Sequence, residues 1–184
     1  ILEANKEKAY EHMEKFAKLL RLTLDYSDKI FIPLEDEIAM ISLYLELEHN
    51  RFANKFEYRF DVDEQLLNGM YEVPGMIIQP FVENALIHGV LNLPDGGGVI
   101  SVSMKMREDA VECSIQDNGV GREVAKLIKQ KKEKHLRSIA LYNIEERLSI
   151  ISKHTNTDIK VKTEDLVNEE AATGTRISFL LPLE

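Results

Sequence analysis

The N-terminal part of the chain carries apolar residues at every third or fourth position. Between about residues 6 and 28, Lys and Glu separate a stripe made of Ala9, Met13, Phe16, Leu20 and either Thr23 or Leu24. This spacing predicts an amphipathic helix with one buried face. Pro33 and the acidic residues after it predict the first turn of a second helix, whose apolar side contains Leu34, Ile38, Ile41, Leu45 and Phe52. The stripes predict a helical hairpin, and their spacing supports packing within one chain and packing against a second copy equally.

A period of two replaces the helical period after the hairpin. Residues 56–62 alternate between apolar and charged side chains, which predicts a half-buried strand. Residues 99–106 and 110–116 predict two strands joined by a tight hairpin, with inward faces made of Ile100, Val102, Met104, Val111, Cys113 and Ile115. Residues 158–163 and 175–181 predict two closing strands.

Three segments between the strands lack this alternation. Residues 76–90 are apolar and predict a helix with Pro80 in its first turn or at a kink. Residues 122–137 are polar and lysine-rich without a clear apolar stripe, which predicts a mobile loop or lid. Ser138 predicts the cap of a helix over residues 138–153, with apolar positions at Ile139, Tyr142, Ile144, Leu148 and Ile151. The order of elements predicts an α+β fold, a two-layer sandwich of a mostly antiparallel sheet covered by helices.

Composition narrows the class of protein. The 184 residues, 44% hydrophobic and 30% charged, are typical of a soluble globular protein, and we expect a helical region at residues 1–53 and an α/β domain at 54–184. A formal net charge of −9 argues against nucleic acid as a partner. The single Cys113 forms no internal disulfide and fits a reducing compartment. Apolar runs fall short of the ~20 residues of a membrane span, and because the chain opens at Ile1 within a helical pattern, we expect a piece of a longer protein.

Two segments hold polar residues that a plain core does not need. In the apolar segment 79–89, Asn84 and His88 are four residues apart and share a helix face, with Glu83 beside Asn84. An amide oxygen can fill one site of an octahedral Mg²⁺ whose other ligands are phosphates and water, and a neighbouring carboxylate can act as a general base. On this pattern alone, a histidine on an apolar helix is more often a core residue than a ligand.

The second segment is Asp-Asn-Gly-Val-Gly at residues 117–121, directly after a predicted strand. Asp117 can accept a hydrogen bond from an exocyclic amine such as that of adenine, and Gly119 and Gly121 allow the backbone to approach a ligand. A strand followed by Asp-Asn-Gly is also a common turn. Gly-Gly-Gly at residues 96–98 lacks the Lys-Ser/Thr of a phosphate-binding loop and predicts a turn, and the lysines of residues 126–134 are typical of a solvated face.

In their order along the chain, these segments together with Gly174 and Thr175 resemble the ATP-binding fold shared by gyrase, Hsp90, histidine kinases and MutL (the GHKL or Bergerat type). The resemblance implies ATP and Mg²⁺ as ligands. It assigns Asn84 to Mg²⁺, Glu83 and Asn84 to catalysis, Asp117 to the adenine amine, and Thr175 to the adenine through water. It further assigns His88, Gly89, Gly119, Gly121, Leu141 and Asn143 to the nucleotide site.

The chain is similar in particular to the LytS-like sensor histidine kinases. The similarity rests on Leu-Leu-Arg at residues 19–21, Ile-Pro-Leu-Glu-Asp-Glu-Ile at 32–38, Gln-Pro at 79–80 and Asn-Ile-Glu-Glu-Arg-Leu at 143–148. It implies transfer of the ATP γ-phosphate to a histidine and thence to a response regulator, a homodimeric full-length protein, and a cytoplasmic location beside any membrane anchor outside this chain. Asn143 and Arg147 either reach the ligand or only brace their helix.

Two departures from the family pattern limit these expectations. The phosphoacceptor motif Pro-His-Phe-x-Phe-Asn is absent, and we expect the acceptor histidine upstream of Ile1. Where many relatives have Gly-x-Gly-Leu after the lid, this chain has Ser-Ile-Ala-Leu at residues 138–141, which makes close contact of that backbone with phosphates less favourable. Two other functions are compatible with the motifs: a nucleotide-binding regulatory module without kinase activity, and a gyrase-like or MutL-like ATPase in which Glu83 activates water.

Overall fold

The computed structural model of the chain describes residues 2–53, 55–132, 139–155, 157–168 and 171–184. Within these ranges, only the backbone is described for residues 2–5, 8, 129–132, 139–145, 168 and 171–172. Ser138, the predicted helix cap, lies outside the described residues.

The N-terminal helical hairpin is present. Helix α1 spans Leu2–Tyr26 and helix α2 spans Leu34–Arg51, with Pro33 directly before the first residue of α2. The predicted stripe of α2 is in the core, since Leu34, Ile41 and Leu45 are at most 1% exposed. Within this chain the α1 stripe is not buried, since its large apolar side chains are exposed: Met13 (67%), Phe16 (57%), Leu20 (47%) and Leu24 (64%). Packing of this stripe inside one chain is therefore wrong, and packing against a second copy stays a prediction. A different side of α1 contacts α2. On that side Lys15 forms an ion pair with Glu46 (2.7 Å), and the hydroxyl of Tyr26 donates a hydrogen bond to the carboxylate of Asp36.

A five-stranded mixed sheet forms the centre of the molecule. Its strands are β2 (Phe56–Val62), β4 (Gly98–Arg107), β5 (Ala110–Asp117), β6 (Lys162–Asn168) and β7 (Ala171–Pro182), in the order β2-β4-β5-β7-β6. The pair β2–β4 is parallel and the other three pairs are antiparallel. Before β4 lie β1 (Phe31–Pro33), α3 (Glu64–Asn68) and β3 (Glu72–Pro74), of which β1 and β3 form a small antiparallel pair.

Both closing strands are present, but the prediction is wrong for where each begins: β7 begins at Ala171 rather than at residue 175, and β6 begins at Lys162 rather than at residue 158. Lys162 pairs with Ser178, and β6 has a register shift between Leu166 and Val167 before it ends at Asn168. Its position is set by pairing with β7 rather than by its own side-chain alternation, because β6 lies at the edge of the sheet and has one neighbour.

Helices cover one face of the sheet. The expected helix of residues 76–90 begins later, as α4 (Gln79–Asn84), and continues as a π turn (Ala85–Gly89) and a 3-10 turn (Val90–Asn92). Helix α5 spans Gly121–Lys132 and α6 spans Ile139–Thr155. The α+β fold with a mostly antiparallel sheet is therefore confirmed.

The loop predicted for residues 122–137 is wrong for residues 122–132, which are helical, whereas the role as a lid stays a prediction. Residues 133–138 lie outside the described part of the chain. Good helix formers dominate α5. Among its described side chains, at residues 121–128, the buried or half-buried residues are Gly121, Ala125 and Ile128. Their spacing of four and three is helical, but two of the three are too small to register as an apolar stripe.

The core lies between the sheet and its helices. The inward residues predicted for β4 and β5 are all at most 2% exposed: Ile100, Val102, Met104, Val111, Cys113 and Ile115. They pack in one cluster with Phe81, Val82 and Leu86 of the α4 segment and with the α2 stripe. The core therefore joins α2 to the sheet, and it places the end of β5 beside the π turn after α4.

Candidate functional site

A cavity of about 480 Å³ opens between the α4 segment, the central strands and α5. Its volume is within the range of about 300–1,000 Å³ that is usual for small-molecule sites. Most of the wall is apolar, and polar side chains come from the α4 segment, β5, α5, β6 and β7. The lining residues include Phe81, Asn84, Ala85, His88, Gly89, Ile115, Asp117, Gly121, Arg122, Ala125, Lys126, Leu148, Val161, Thr163, Thr175 and Ile177.

Asp117 is the buried acid of this cavity. It is the last residue of β5, pairs with Thr175 of β7, and is 5% exposed. Its carboxylate accepts a hydrogen bond from the backbone N–H of Gly119 (2.8 Å). Burial raises the pKa of Asp117 to about 6, although hydrogen bonds from the N–H groups of Gly119 and Thr175 act in the opposite direction. The carboxylate is thus placed as an acceptor on the wall of an apolar cavity.

Three glycines surround Asp117, and each lies where a side chain would collide. A Cβ on Gly89 would lie 2.7 Å from Oδ1 of Asp117, and one on Gly119 would lie 2.3 Å from the backbone of Gly89. Gly174 has φ +139°, and its Cβ would lie 1.9 Å from the carbonyl oxygen of Asp117. Only glycine allows the π turn and the turn after β5 to approach this carboxylate, and β7 to approach the backbone of Asp117, so closely.

Asn118 fixes the turn that follows β5. Its Oδ1 accepts a hydrogen bond from the N–H of Val99 (2.6 Å), and its Nδ2 donates to the carbonyl of Gly97 (3.1 Å). Gly96 and Gly97 have φ values of +72° and +73°, as expected for the turn predicted from the sequence. The three-glycine segment therefore braces the turn after Asp117 and does not line the cavity.

Asn84 and His88 both line the cavity. They share a face as their spacing predicts, although the backbone changes from α to π between them. Gly89, Gly121 and Thr175 line the same cavity. Gly121 begins α5 with φ +75°, a conformation that favours glycine.

Two other predicted residues, Glu83 and Gly119, are described but do not line the cavity. Glu83 is outside the described lining, and it accepts a hydrogen bond from Nε2 of Gln79 (2.9 Å). Gly119 acts behind the wall, by packing against Gly89. The side chains of Leu141 and Asn143 lie outside the described residues.

Helix α5 contributes cations that the sequence interpretation left on a solvated face. Arg122 and Lys126 both line the cavity, with Ala125 between them. Arg122 donates two hydrogen bonds to Asp165 of β6, both 2.6 Å long, whereas Lys126 pairs with Glu123 (2.8 Å). Arg122 and Lys126 are four residues apart and therefore lie on the same face of a helix. This spacing, directly after Gly121, could have predicted from the sequence that both cations face the cavity.

Arg147 braces the fold, which decides between the two roles that the sequence left open. Its Nε donates to the carbonyl of Gly75 (2.9 Å) and its Nη2 donates to the carbonyl of Lys29 (3.0 Å). It is not among the residues that line the cavity.

The polar groups of the cavity are of the kinds that can bind a nucleoside triphosphate together with Mg²⁺. Asp117 supplies a buried acceptor, Asn84 supplies an amide oxygen, and Lys126 supplies positive charge. No group of three or more His, Cys, Asp or Glu residues suited to a metal occurs among the side chains that the structure describes. A Mg²⁺ in this cavity would therefore take most of its oxygen ligands from phosphates and water, as Mg²⁺ commonly does.

None of the helices in the described ranges is long and apolar enough to cross a membrane.

Known proteins are similar to this chain in sequence and in fold. A family model described as histidine kinase matches residues 1–56. The uncharacterized protein YwpD of Bacillus subtilis strain 168 is 33% identical over 178 residues, which is 96% of this chain and 60% of YwpD. The sensor protein LytS of Bacillus anthracis is 34% identical over 183 residues, which is 96% of this chain and 29% of LytS. The solved structure of the mycobacterial sensor histidine kinase MprB has the same fold, with a TM-score of 0.54, 18% identity, and coverage of 84% of this chain and 97% of that one.

Proposed function

Since this chain belongs to the LytS-like sensor histidine kinase family, we propose that it is the ATP-binding catalytic region of such a kinase. In the proposed reaction the ATP γ-phosphate passes to a histidine upstream of this chain and then to an aspartate of a response regulator. The chain spans only 29% of the LytS protein of Bacillus anthracis. The kinase activity of the whole protein is therefore part of what we propose. The observation that carries it is the convergence of Asp117, Asn84 and His88 on one cavity.

The adenine end of the site is proposed at Asp117. Its carboxylate would accept a hydrogen bond from the adenine amine, and the neighbouring Thr175 would support the ring through water. The apolar wall around them excludes bulk water, which strengthens such a hydrogen bond. Gly89 and Gly119 support this role because they pack closely against the carboxylate, and Gly174 packs against the backbone carbonyl of Asp117.

The phosphate end is proposed at Asn84, His88 and Lys126. Asn84 would give its amide oxygen to Mg²⁺, and the lysine would neutralise phosphate charge. Bound Mg²⁺ would supply electrostatic stabilisation of the charge on the phosphates during transfer. An imidazole nitrogen forms the new P–N bond as the P–O bond to ADP breaks, and Glu83 would take the imidazole proton.

The position of Glu83 favours phosphotransfer over hydrolysis. An ATPase mechanism needs this carboxylate to activate water beside the γ-phosphate. Glu83 instead lies outside the cavity lining and is bonded to Gln79. A side chain on the outer side of Asn84 is better placed to meet an acceptor histidine that another segment brings to the site.

The exposed stripe of α1 supports the proposed homodimer. Five large apolar side chains of this helix are between 47% and 72% exposed, namely Tyr10, Met13, Phe16, Leu20 and Leu24. A second copy of the same helix would bury them and bring acceptor and catalytic region together. The family also implies a cytoplasmic location, which we propose for this region.

Nucleotide binding and phosphotransfer can be tested separately. Isothermal titration calorimetry should show that the chain binds MgATP. A separate measurement of free phosphate should show no steady release. Asn84→Ala should remove the gain in affinity that Mg²⁺ gives, while binding of ATP in EDTA remains. A longer protein that includes the upstream segment should acquire an acid-labile, base-stable phosphate from MgATP. Binding without any such phosphate in the longer protein would contradict the kinase proposal and support a regulatory nucleotide-binding module.

A further inference from the structure

The turn that precedes α4 is held from several directions. Residues 72–74 pair with β1 as strand β3, and Glu72 exchanges two backbone hydrogen bonds of 3.0 Å with Glu184. The N–H of Gly75 donates to the carbonyl of Ile30 (3.0 Å). Met76 has φ +59°, a conformation that costs energy for a residue with a side chain and persists where the surroundings enforce it. Three residues after Met76, α4 begins, and that helix carries Asn84.

Glu37 of α2 binds this turn from inside the protein. It is 1% exposed, and its carboxylate accepts hydrogen bonds from the N–H of Met76 (2.8 Å) and the N–H of Ile78 (3.3 Å). Burial raises the pKa of Glu37, and the backbone donors and the charge of Arg147 oppose that rise. Both N–H groups belong to the turn directly before α4, so the carboxylate of Glu37 fixes the segment from which that helix begins.

Arg147 of α6 binds the same turn from the other side. It joins the carbonyl of Gly75 to the carbonyl of Lys29, in the connection between α1 and α2. The turn of residues 75–78 is therefore the point where the helical hairpin, the helix of Asn84 and the helix after the predicted lid meet. Neither Glu37 nor Arg147 lines the cavity, so any effect on a ligand must pass through the turn.

We propose that Glu37 and Arg147 are positioning residues, which set the start of α4 and thereby the place of Asn84 in the cavity. The inference rests on the proposed nucleotide site, and it assigns to the buried Glu37 and the half-buried Arg147 a role beyond folding. Loss of either contact lets the turn relax its left-handed residue and shifts the amide of Asn84 relative to Asp117.

The test compares magnesium-dependent affinity in matched variants of this chain. Glu37→Gln removes the charge and turns one acceptor into a donor, while Glu35→Gln makes the same chemical change at an exposed site of the same helix. Arg147→Lys keeps the charge but cannot bridge both carbonyls, and the exposed Arg51→Lys is its control. Affinity for ATP is measured by calorimetry with Mg²⁺ and with EDTA, at a temperature where thermal unfolding shows each variant to be folded.

We expect Glu37→Gln and Arg147→Lys to lose about tenfold in the affinity gain that Mg²⁺ gives, as changes behind a metal ligand commonly do. Affinity in EDTA and both control variants should stay at the parental values. Hydrogen exchange gives a second measurement: MgATP should slow exchange at the amides of Met76 and Ile78 in the parental chain, and this slowing should disappear in Arg147→Lys.

The outcomes separate this inference from the proposed function. If Asn84→Ala leaves the effect of Mg²⁺ unchanged, the nucleotide site itself is misassigned. If Asn84→Ala removes that effect but folded Glu37→Gln and Arg147→Lys retain it, the positioning role is wrong and the pair only stabilises the fold. Should Glu37→Gln fail to fold, Arg147→Lys and the exchange measurement decide the question alone.

Discussion

Burial places the carboxyl group of Asp117 on the cavity wall, and the same burial disfavours its ionised form. Its pKa is about 6 in the folded chain, against an ordinary value of 3.8, because burial disfavours the charged form. Since the folded-state pKa is raised, the stability that this group contributes is complete at low pH and is lost as the pH rises through about 6. A bound amine that donates to the carboxylate would favour the ionised form and reverse this effect.

Adenosine binding should therefore depend on pH through Asp117. Adenosine has no phosphate that titrates, so its affinity should be full above about pH 7 and fall as the pH drops through the pKa of about 6. Asp117→Asn should bind about 10- to 100-fold more weakly at pH 8, because hydrogen bonds to charged groups contribute about 1.5–3 kcal/mol. NMR titration at several pH values measures both. A parental affinity that stays constant from pH 5 to pH 8 would contradict this role of Asp117.

At the scale of elements, α5 connects the cavity to the edge of the sheet. Arg122 is committed to Asp165 of β6 by two hydrogen bonds, which holds the start of the helix. Lys126, one turn later, forms an exposed ion pair with Glu123, with side chains 64% and 79% exposed. Exposed pairs of this kind contribute little. Lys126 can therefore exchange its partner for a phosphate at small cost.

Lys126→Ala should weaken ATP binding about two- to fivefold, in line with the energy of an exposed charge pair. AMP should lose little, because the proposed contact is to the terminal phosphates. The control is Lys160→Ala, whose side chain is 85% exposed and lies outside the lining of this cavity. Calorimetry at low and moderate salt measures the difference, and equal losses for ATP and AMP would show that Lys126 does not contact those phosphates.

The whole molecule has an unequal distribution of apolar surface. The sheet, α2 and the α4 segment share one core, whereas α1 contacts α2 with one side and leaves large apolar side chains exposed on another. Contiguous exposed apolar surface of this kind is typical of an interaction site. The helical period of the stripe matches a second helix of the same kind.

The chain should therefore dimerise through α1. Phe16→Glu places a charge in the middle of the exposed stripe and should convert a concentration-dependent dimer into a monomer of 21.1 kDa. Lys18→Glu, also exposed on α1 but outside the stripe, should leave the dimer intact. Sedimentation equilibrium measures the mass of each, and nucleotide affinity should be the same for both because α1 does not line the cavity. A parental chain that is monomeric at every concentration would exclude this interface.

Local patterns alone determined which way side chains point from their own backbone. The alternation in β4 and β5 predicted all six inward residues, and the motifs predicted six residues that the structure places on the cavity wall: Asn84, His88, Gly89, Asp117, Gly121 and Thr175. These inferences need only the period of a strand, the period of a helix, or the short motifs of a known family. The same patterns failed where the stripe was made of small residues, as in α5, or where a neighbouring strand set the boundary, as in β6.

Tertiary structure decided which groups face one another. Gly89, Gly119 and Gly174 converge on Asp117 from three elements, and Glu37 reaches the N–H groups of Met76 and Ile78 across 39 and 41 residues. The α1 stripe is as regular as that of α2, yet only α2 meets the sheet. The physical reason is that periodicity describes a residue relative to its own element, whereas burial, close approach and a raised pKa depend on atoms that distant parts of the chain bring into contact.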